Sequence, residues 1–209
     1  MRELEIDEQF SSVLVERQAN VRWKQIDAAA DYIATRLNAG KTVDLMFVCT
    51  HNSRRSQFAH VWAEVWARKT AGLEGVRCYS GGTEVTACNE RTIGALERFG
   101  FEVESSGGEN PNYRVKFSNN HEPVLCNSSL FAESGLTEFA AMMCCSDVDQ
   151  KCPTVVGAEI RVPLHYEDPK SADDTDEESS RYDERCEQIG RDMMLLMHEA
   201  ASRCKQPEL

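Results

Sequence analysis

The chain has 209 residues, of which 41% are hydrophobic, and 23 basic against 35 acidic side chains give a formal net charge of −12. That length favours one domain with a sizeable core, and the acidity excludes a broad phosphate-neutralising surface, so nucleic acid is not an expected partner. No apolar run approaches the roughly 18 residues that span a bilayer, so no membrane is expected either.

The first stretch should be apolar in a signal peptide, yet it carries Arg2, Glu3, Glu5, Asp7 and Glu8. With nine cysteines, an odd number, this predicts a reducing, cytoplasmic setting with reactive or buried thiols rather than a disulfide scaffold. From residue 7 to about 38, Phe10, Val13, Leu14, Arg17, Val21 and later Ile26, Ala30, Ile33 and Leu37 recur at near-helical spacing. They predict one or two amphipathic helices ending at Gly40. Residues 1–41 therefore read as an N-terminal helical extension that packs or dimerises and carries no chemistry, and residues 42–209 read as the catalytic unit.

The period then changes. Val43 to Val48 is a short apolar run that suits a buried strand. Phe58, Val61, Trp62, Val65 and Trp66 return at helical spacing until Gly72, and a second strand over Val76 to Tyr79 is stopped by Ser80-Gly81-Gly82. Ile93, Leu96 and Phe99 predict a helix ending at Gly100. Strand, helix, strand, helix is the rhythm of an α/β fold with a parallel sheet.

Tyr113, Val115 and Phe117 alternate with polar residues, Asn119-Asn120 marks a turn, and Val124 and Cys126 resume the alternation. This predicts an inserted β-hairpin near 112–126, on the sheet's edge or over a site. Phe139 to Cys144 and Ala158 to Val162 are the third and fourth core strands. The acidic cluster at 173–178 reads as a solvated helix start, with Thr175 and Glu178 spaced as a capping box. A long closing helix follows, with Tyr182, Cys186, Ile189, Met193, Leu196, Met197 and Ala200 on its apolar face.

The chemistry concentrates in Cys49-Thr50-His51-Asn52-Ser53-Arg54-Arg55-Ser56, between the first strand and its helix. A loop feeding a helix N-terminus points free N–H groups inward, and the helix dipole adds partial positive charge, so residues 50–56 can cradle a tetrahedral anion. Cys49 would face that anion, with the amides and Arg55 favouring its thiolate. Arg55 can turn back and grip two oxygens with its planar fork. Asn52 tolerates a left-handed backbone, and the Ser56 hydroxyl can cap the helix or donate to the Cys49 sulfur. Asp168-Pro169, after the last strand, offers a carboxyl at the same sheet edge, suited to protonating a leaving oxygen.

A second cysteine group spans Cys144-Cys145-Ser146-Asp147-Val148-Asp149-Gln150-Lys151-Cys152-Pro153. No C-x2-C or ligand-spaced His pair accompanies it, so neither a metal nor another cofactor is expected. From the residues alone, Cys145 and Cys152 are either a mobile thiol pair or inert.

The loop resembles the C-x5-R-S signature of the low-molecular-weight protein tyrosine phosphatase superfamily, and its Cys-Thr-x-Asn-Ser-x-Arg-Ser-Gln form is nearest the thioredoxin-coupled arsenate reductases. The resemblance covers about residues 43 to 203. It implies a three-layer α/β sandwich with a four-stranded parallel sheet flanked by helices. The second group resembles the reductases' Cys-Ser-Asp-x-Asp-x-x-Cys-Pro motif, which ordinary phosphatases of this type lack. The implied reaction is arsenate reduction by a relay from Cys49 to Cys145 to Cys152 and on to a thioredoxin-like reductant, with Asp168 as the acid. The alternative is hydrolysis of phosphotyrosine or a small phosphate ester through a phosphocysteine. A third reading is a non-enzymatic oxyanion sensor. Three positions depart from the pattern: His51 stands where Gly is usual, Arg54 where Cys is usual, and His60 where potassium-dependent reductases carry a glutamate.

Overall fold

A computed structural model of the chain describes residues 19–151 and 154–205. Four strands, β1 (Val43–Cys49), β2 (Val76–Gly82), β6 (Phe139–Met143) and β7 (Ala158–Pro163), form a parallel sheet in the order β2-β1-β6-β7. Helices α1 (Trp23–Asn38), α2 (Arg55–Lys69), α3 (Glu90–Arg98), α4 (Ser146–Lys151) and α5 (Glu178–Arg203) flank it. This is the expected α/β sheet. Among the described residues no helix is long and apolar enough to cross a membrane.

β1 is central and buried at all seven positions, as a parallel strand covered on both faces should be. It includes one charge, Asp44, which is matched in register by Arg77 of β2 and held by two bonds of 2.6 and 2.7 Å. Trp62 of α2 is fully buried. Its ring meets Phe101 edge-on at 5.1 Å and Phe99 at 6.0 Å, and its indole N–H donates to the Cys186 sulfur of α5 at 3.3 Å. α5 therefore closes the domain against the helix that follows the oxyanion loop.

The inserted region holds the expected hairpin, β4 (Tyr113–Lys116) and β5 (Val124–Cys126), and one strand more. β3 (Glu102–Ser105) pairs antiparallel with β4, making a separate three-stranded sheet in the order β3-β4-β5. Glu102, Glu104 and Ser105 are exposed and only Val103 packs against the core, so β3 is too short and polar to show a strand-like hydrophobic alternation.

Three local expectations are corrected. β2 runs on through Ser80-Gly81-Gly82 instead of stopping there, with Gly82 paired to Cys49. Val21 is 84% exposed and precedes α1, so it takes no part in a helical apolar face; Phe10, Val13, Leu14 and Arg17 lie outside the described residues. The capping box at Thr175 does not form: α5 begins at Glu178, and the Thr175 hydroxyl donates back to the Ala172 carbonyl at 2.7 Å. The Glu178 carboxylate reaches one residue further back, accepting from Asp174 N at 2.7 Å rather than from Thr175 N, so neither bond of the expected reciprocal pair exists.

Replacing Trp62 by Ala would empty the junction of α2, α5 and the Phe99–Phe101 turn. Urea unfolding should register a loss of about 3–5 kcal/mol.

Candidate active site

Cys49 ends β1 and is 3% exposed. Its sulfur lies 3.0 Å from the Ser56 hydroxyl oxygen, which also accepts from Asn52 Nδ2 at 2.9 Å. With that oxygen already accepting from Asn52, the Ser56 proton is free to point at the Cys49 sulfur. Of the two uses expected for Ser56, the geometry takes the second: no side chain caps α2.

Asn52 adopts φ 47°, the left-handed conformation its type permits. Besides bonding Ser56, its Oδ1 accepts from Ser129 N at 3.1 Å, and its carbonyl accepts from Gln57 Nε2 at 2.8 Å. The Thr50 carbonyl accepts from Thr83 N and Glu84 N, both at 2.9 Å. Asn89 N donates to the Ser53 carbonyl at 3.0 Å, and the Ser53 hydroxyl donates to the Ala87 carbonyl at 2.6 Å. Segment 83–89 thus grips the loop from outside by its carbonyls, so those carbonyls are not available to fold onto the loop's own amides.

Arg55 donates Nη1 to the Tyr166 carbonyl at 3.1 Å and Nη2 to Asp168 Oδ2 at 2.6 Å. The other Asp168 oxygen accepts from Lys170 N at 3.1 Å, capping the short 3-10 turn Pro169–Ala172. The Asp-Pro pair is therefore a turn, as such a dipeptide usually is, whose carboxylate also meets the loop arginine. Cys144 and Cys145 are both fully buried. Cys144 N donates to Val48 O at 2.8 Å, locking the end of β6 beside the end of β1, and Cys145 Sγ sits 3.8 Å from Thr50 Oγ1. Burial pushes the Cys144 thiol well above its usual range, which suits an inert neighbour. Cys152 lies outside the described residues.

Cys49, Thr50, Asn52, Arg55, Ser56, Cys145 and Asp168 are thus gathered at one sheet edge, while three side chains of the expected cradle turn elsewhere. His51 faces Glu84 at 3.3 Å. Ser53 is held by Ala87. Arg54 bonds the Tyr182 hydroxyl at 2.6 Å and Asp173 at 3.1 Å, tying the loop to the start of α5. What these three can offer an anion in this geometry is main-chain N–H. A cleft of about 420 Å³ opens along the loop's outer side, lined by His51, Ser53, Arg54, Arg91, Tyr113 and Lys170 among others.

Three residues were not singled out from sequence. Gln57 joins the Asn52 carbonyl to that of Asn127. Tyr166 supplies the carbonyl that Arg55 meets. A Cβ on Gly82 would fall 2.7 Å from the Thr50 and Glu84 carbonyl oxygens and 2.9 Å from Asn52 N. The double glycine was the available signal, and it marks close backbone approach within a strand rather than the strand's end. His60, the third departure, sits near Ser80, its Nδ1 3.4 Å from the hydroxyl. Desolvation pushes its pKa down to about 4, so it is neutral at pH 7. Among the described residues no group of three or more His, Cys, Asp or Glu side chains is arranged to hold a metal ion.

Comparison with known proteins adds three findings. The family model described as low molecular weight phosphotyrosine protein phosphatase matches residues 44–112. "Arsenate reductase 2" of Staphylococcus epidermidis is 29% identical over 125 residues, 60% of this chain and 77% of that protein; "Arsenate reductase 2" of Staphylococcus haemolyticus matches to the same extent. A solved structure titled "Crystal structure of Primo-1" superposes with a TM-score of 0.51 at 14% identity, covering 75% of this chain and 97% of that one, a likeness of fold.

Two predictions follow from this geometry. Gly82→Ala must displace loop backbone, so inorganic phosphate should protect Cys49 from alkylation at least about tenfold less well than in the unsubstituted protein. His60 stabilises the fold fully above its ordinary pKa of 6.5, and that contribution is lost as pH falls toward 4. Urea unfolding at pH 7 and pH 4.5 should therefore show His60→Gln losing roughly 2 kcal/mol less than the unsubstituted protein over that interval.

Proposed function

We propose that the chain, whose residues 44–112 match the low molecular weight phosphotyrosine protein phosphatase model and whose curated relatives include arsenate reductases, belongs to that superfamily and reduces arsenate through three cysteines. The observation that carries this reading is the fully buried Cys145 thiol lying against Thr50, the residue after Cys49. A phosphatase needs the loop, the arginine and the acid; it has no use for a second thiol at the nucleophile's side.

The steps balance as follows. An arsenate oxyanion enters the loop, its oxygens taking the amides and the Arg55 fork, and Arg55 releases Asp168 in exchange. The Cys49 thiolate attacks arsenic, and Asp168 in its acid form protonates the departing oxygen as water. The Cys145 thiolate then attacks Cys49 sulfur. A Cys49–Cys145 disulfide forms, the sulfur–arsenic bond breaks, and its electron pair stays on arsenic, which leaves as arsenite. Cys152 attacks Cys145 and frees Cys49 as thiolate. A dithiol of the thioredoxin class reduces the Cys145–Cys152 bond and restores both thiols.

A second reading is hydrolysis of a phosphate monoester by Cys49, Arg55 and Asp168, since the matching family model is that of a phosphotyrosine phosphatase. Arsenate-dependent NADPH oxidation with thioredoxin and thioredoxin reductase separates the two. Sustained turnover that Cys145→Ser abolishes, while hydrolysis of p-nitrophenyl phosphate survives that substitution, supports the reductase. Full multiple turnover by Cys145→Ser would sink the relay. Cys49→Ser should abolish both activities.

A further inference from the structure

The segment ahead of α1 reaches the active site through one buried residue. Asn20 Nδ2 and Arg22 Nε each donate to Asp192 of α5, both at 2.6 Å, and Asp192 is 1% exposed. The Arg22 guanidinium carbon then lies 4.7 Å from the centre of the Tyr166 ring, a cation–π arrangement strengthened by the loss of water. Tyr166 is itself 4% exposed. Its N–H donates to the Cys144 carbonyl at 3.0 Å, and its own carbonyl accepts from Arg55 Nη1 at 3.1 Å.

Tyr166 therefore meets the residue next to Cys145 with its amide, the oxyanion arginine with its carbonyl, and the N-terminal segment with its ring. Arg55 has two partners here, Asp168 and the Tyr166 carbonyl. An entering oxyanion displaces the first, because carboxylate and substrate compete for the same N–H. The second is a neutral main-chain oxygen that can stay, and it then fixes the direction in which the fork points.

We infer that Arg22, anchored by Asp192, is a positioning residue for the oxyanion site: it holds the Tyr166 ring, and so the carbonyl that aims Arg55. This rests on the proposed binding of an oxyanion by the loop but not on the cysteine relay. The N-terminal segment is on this account a working layer of the site. A second role for Arg22, neutralising the buried Asp192, would affect stability alone, and the two are separable by experiment.

The probe is inorganic arsenate titrated calorimetrically into the full chain, with the thermal midpoint of each variant measured alongside. Arg22→Ala alone would strand a buried carboxylate, so the informative variant is Arg22→Met with Asp192→Asn, which removes both charges together. Its arsenate Kd should rise about tenfold, while Arg22→Lys, which keeps a cation over the ring, should stay within about threefold of the unsubstituted protein. If the double variant proves too unstable to titrate, Arg22→Gln decides: it keeps a donor for Asp192 without the cation, and should weaken arsenate binding more than Arg22→Lys does at an equal thermal midpoint. An unchanged Kd in whichever of these variants is titrated, or equal weakening by Lys and Gln, overturns the inference. Absence of arsenate binding by the unsubstituted protein would instead overturn the oxyanion reading of the loop.

Discussion

The arrangement depends on how the backbone carbonyls between Cys49 and Arg55 are held, because a loop that is to offer its N–H groups to an anion must keep its own carbonyls off them. A short loop in water would fold its own carbonyls onto them. Here the carbonyls of Thr50, Asn52 and Ser53 are taken from outside, by 83–84, Gln57 and Asn89, and the one left-handed residue is an asparagine whose side chain is bonded at both ends. Buried polar groups of this kind are costly if any member goes unmatched. The network therefore gives the loop one shape, which a preorganised anion site requires.

Arg55 and Asp168 illustrate how two charges at the loop satisfy each other. Apart, each would face the cost of a poorly hydrated ion; together at 2.6 Å they balance. On the mechanism proposed above, an entering oxyanion displaces Asp168 from Arg55, so part of its binding energy goes into freeing the carboxylate.

Much of the frame was legible in the residues. Buried parallel strands read as unbroken apolar runs, and helices such as α5 read by their spacing, because burial on one or two faces dictates those periods. The left-handed Asn52 and the Ser56–Cys49 contact follow from side-chain chemistry alone. What escaped depends on partners distant in sequence. Arg54 looked like an anion ligand until Tyr182 and Asp173, both more than a hundred positions away, claimed it. Gly82 looked like a breaker because the loop that needs its missing Cβ is not adjacent to it in the chain. β3 has an exposed, polar face and so no pattern to find. Residues 19–22 looked like the edge of an appendage because their partner, Asp192, comes near the chain's other end.

The net charge of −12 sets a last constraint. An anionic substrate approaches a chain whose average field repels it, so attraction has to be local. Several arginines near the loop cannot provide much of it: Arg54 is matched by Asp173, and Arg91 by Asp174 and Glu178, at contacts of 2.6 to 3.1 Å. Those pairs serve to hold the loop, the 173–178 turn and the start of α3 together. The positive potential that remains comes from main-chain amides, the α2 N-terminus and Arg55 once Asp168 lets go, all of which act over a few ångströms. Such a site discriminates by shape and hydrogen bonding at contact rather than by long-range steering. For the oxyanion binding proposed above, short range is an advantage in selectivity obtained at some expense in association rate.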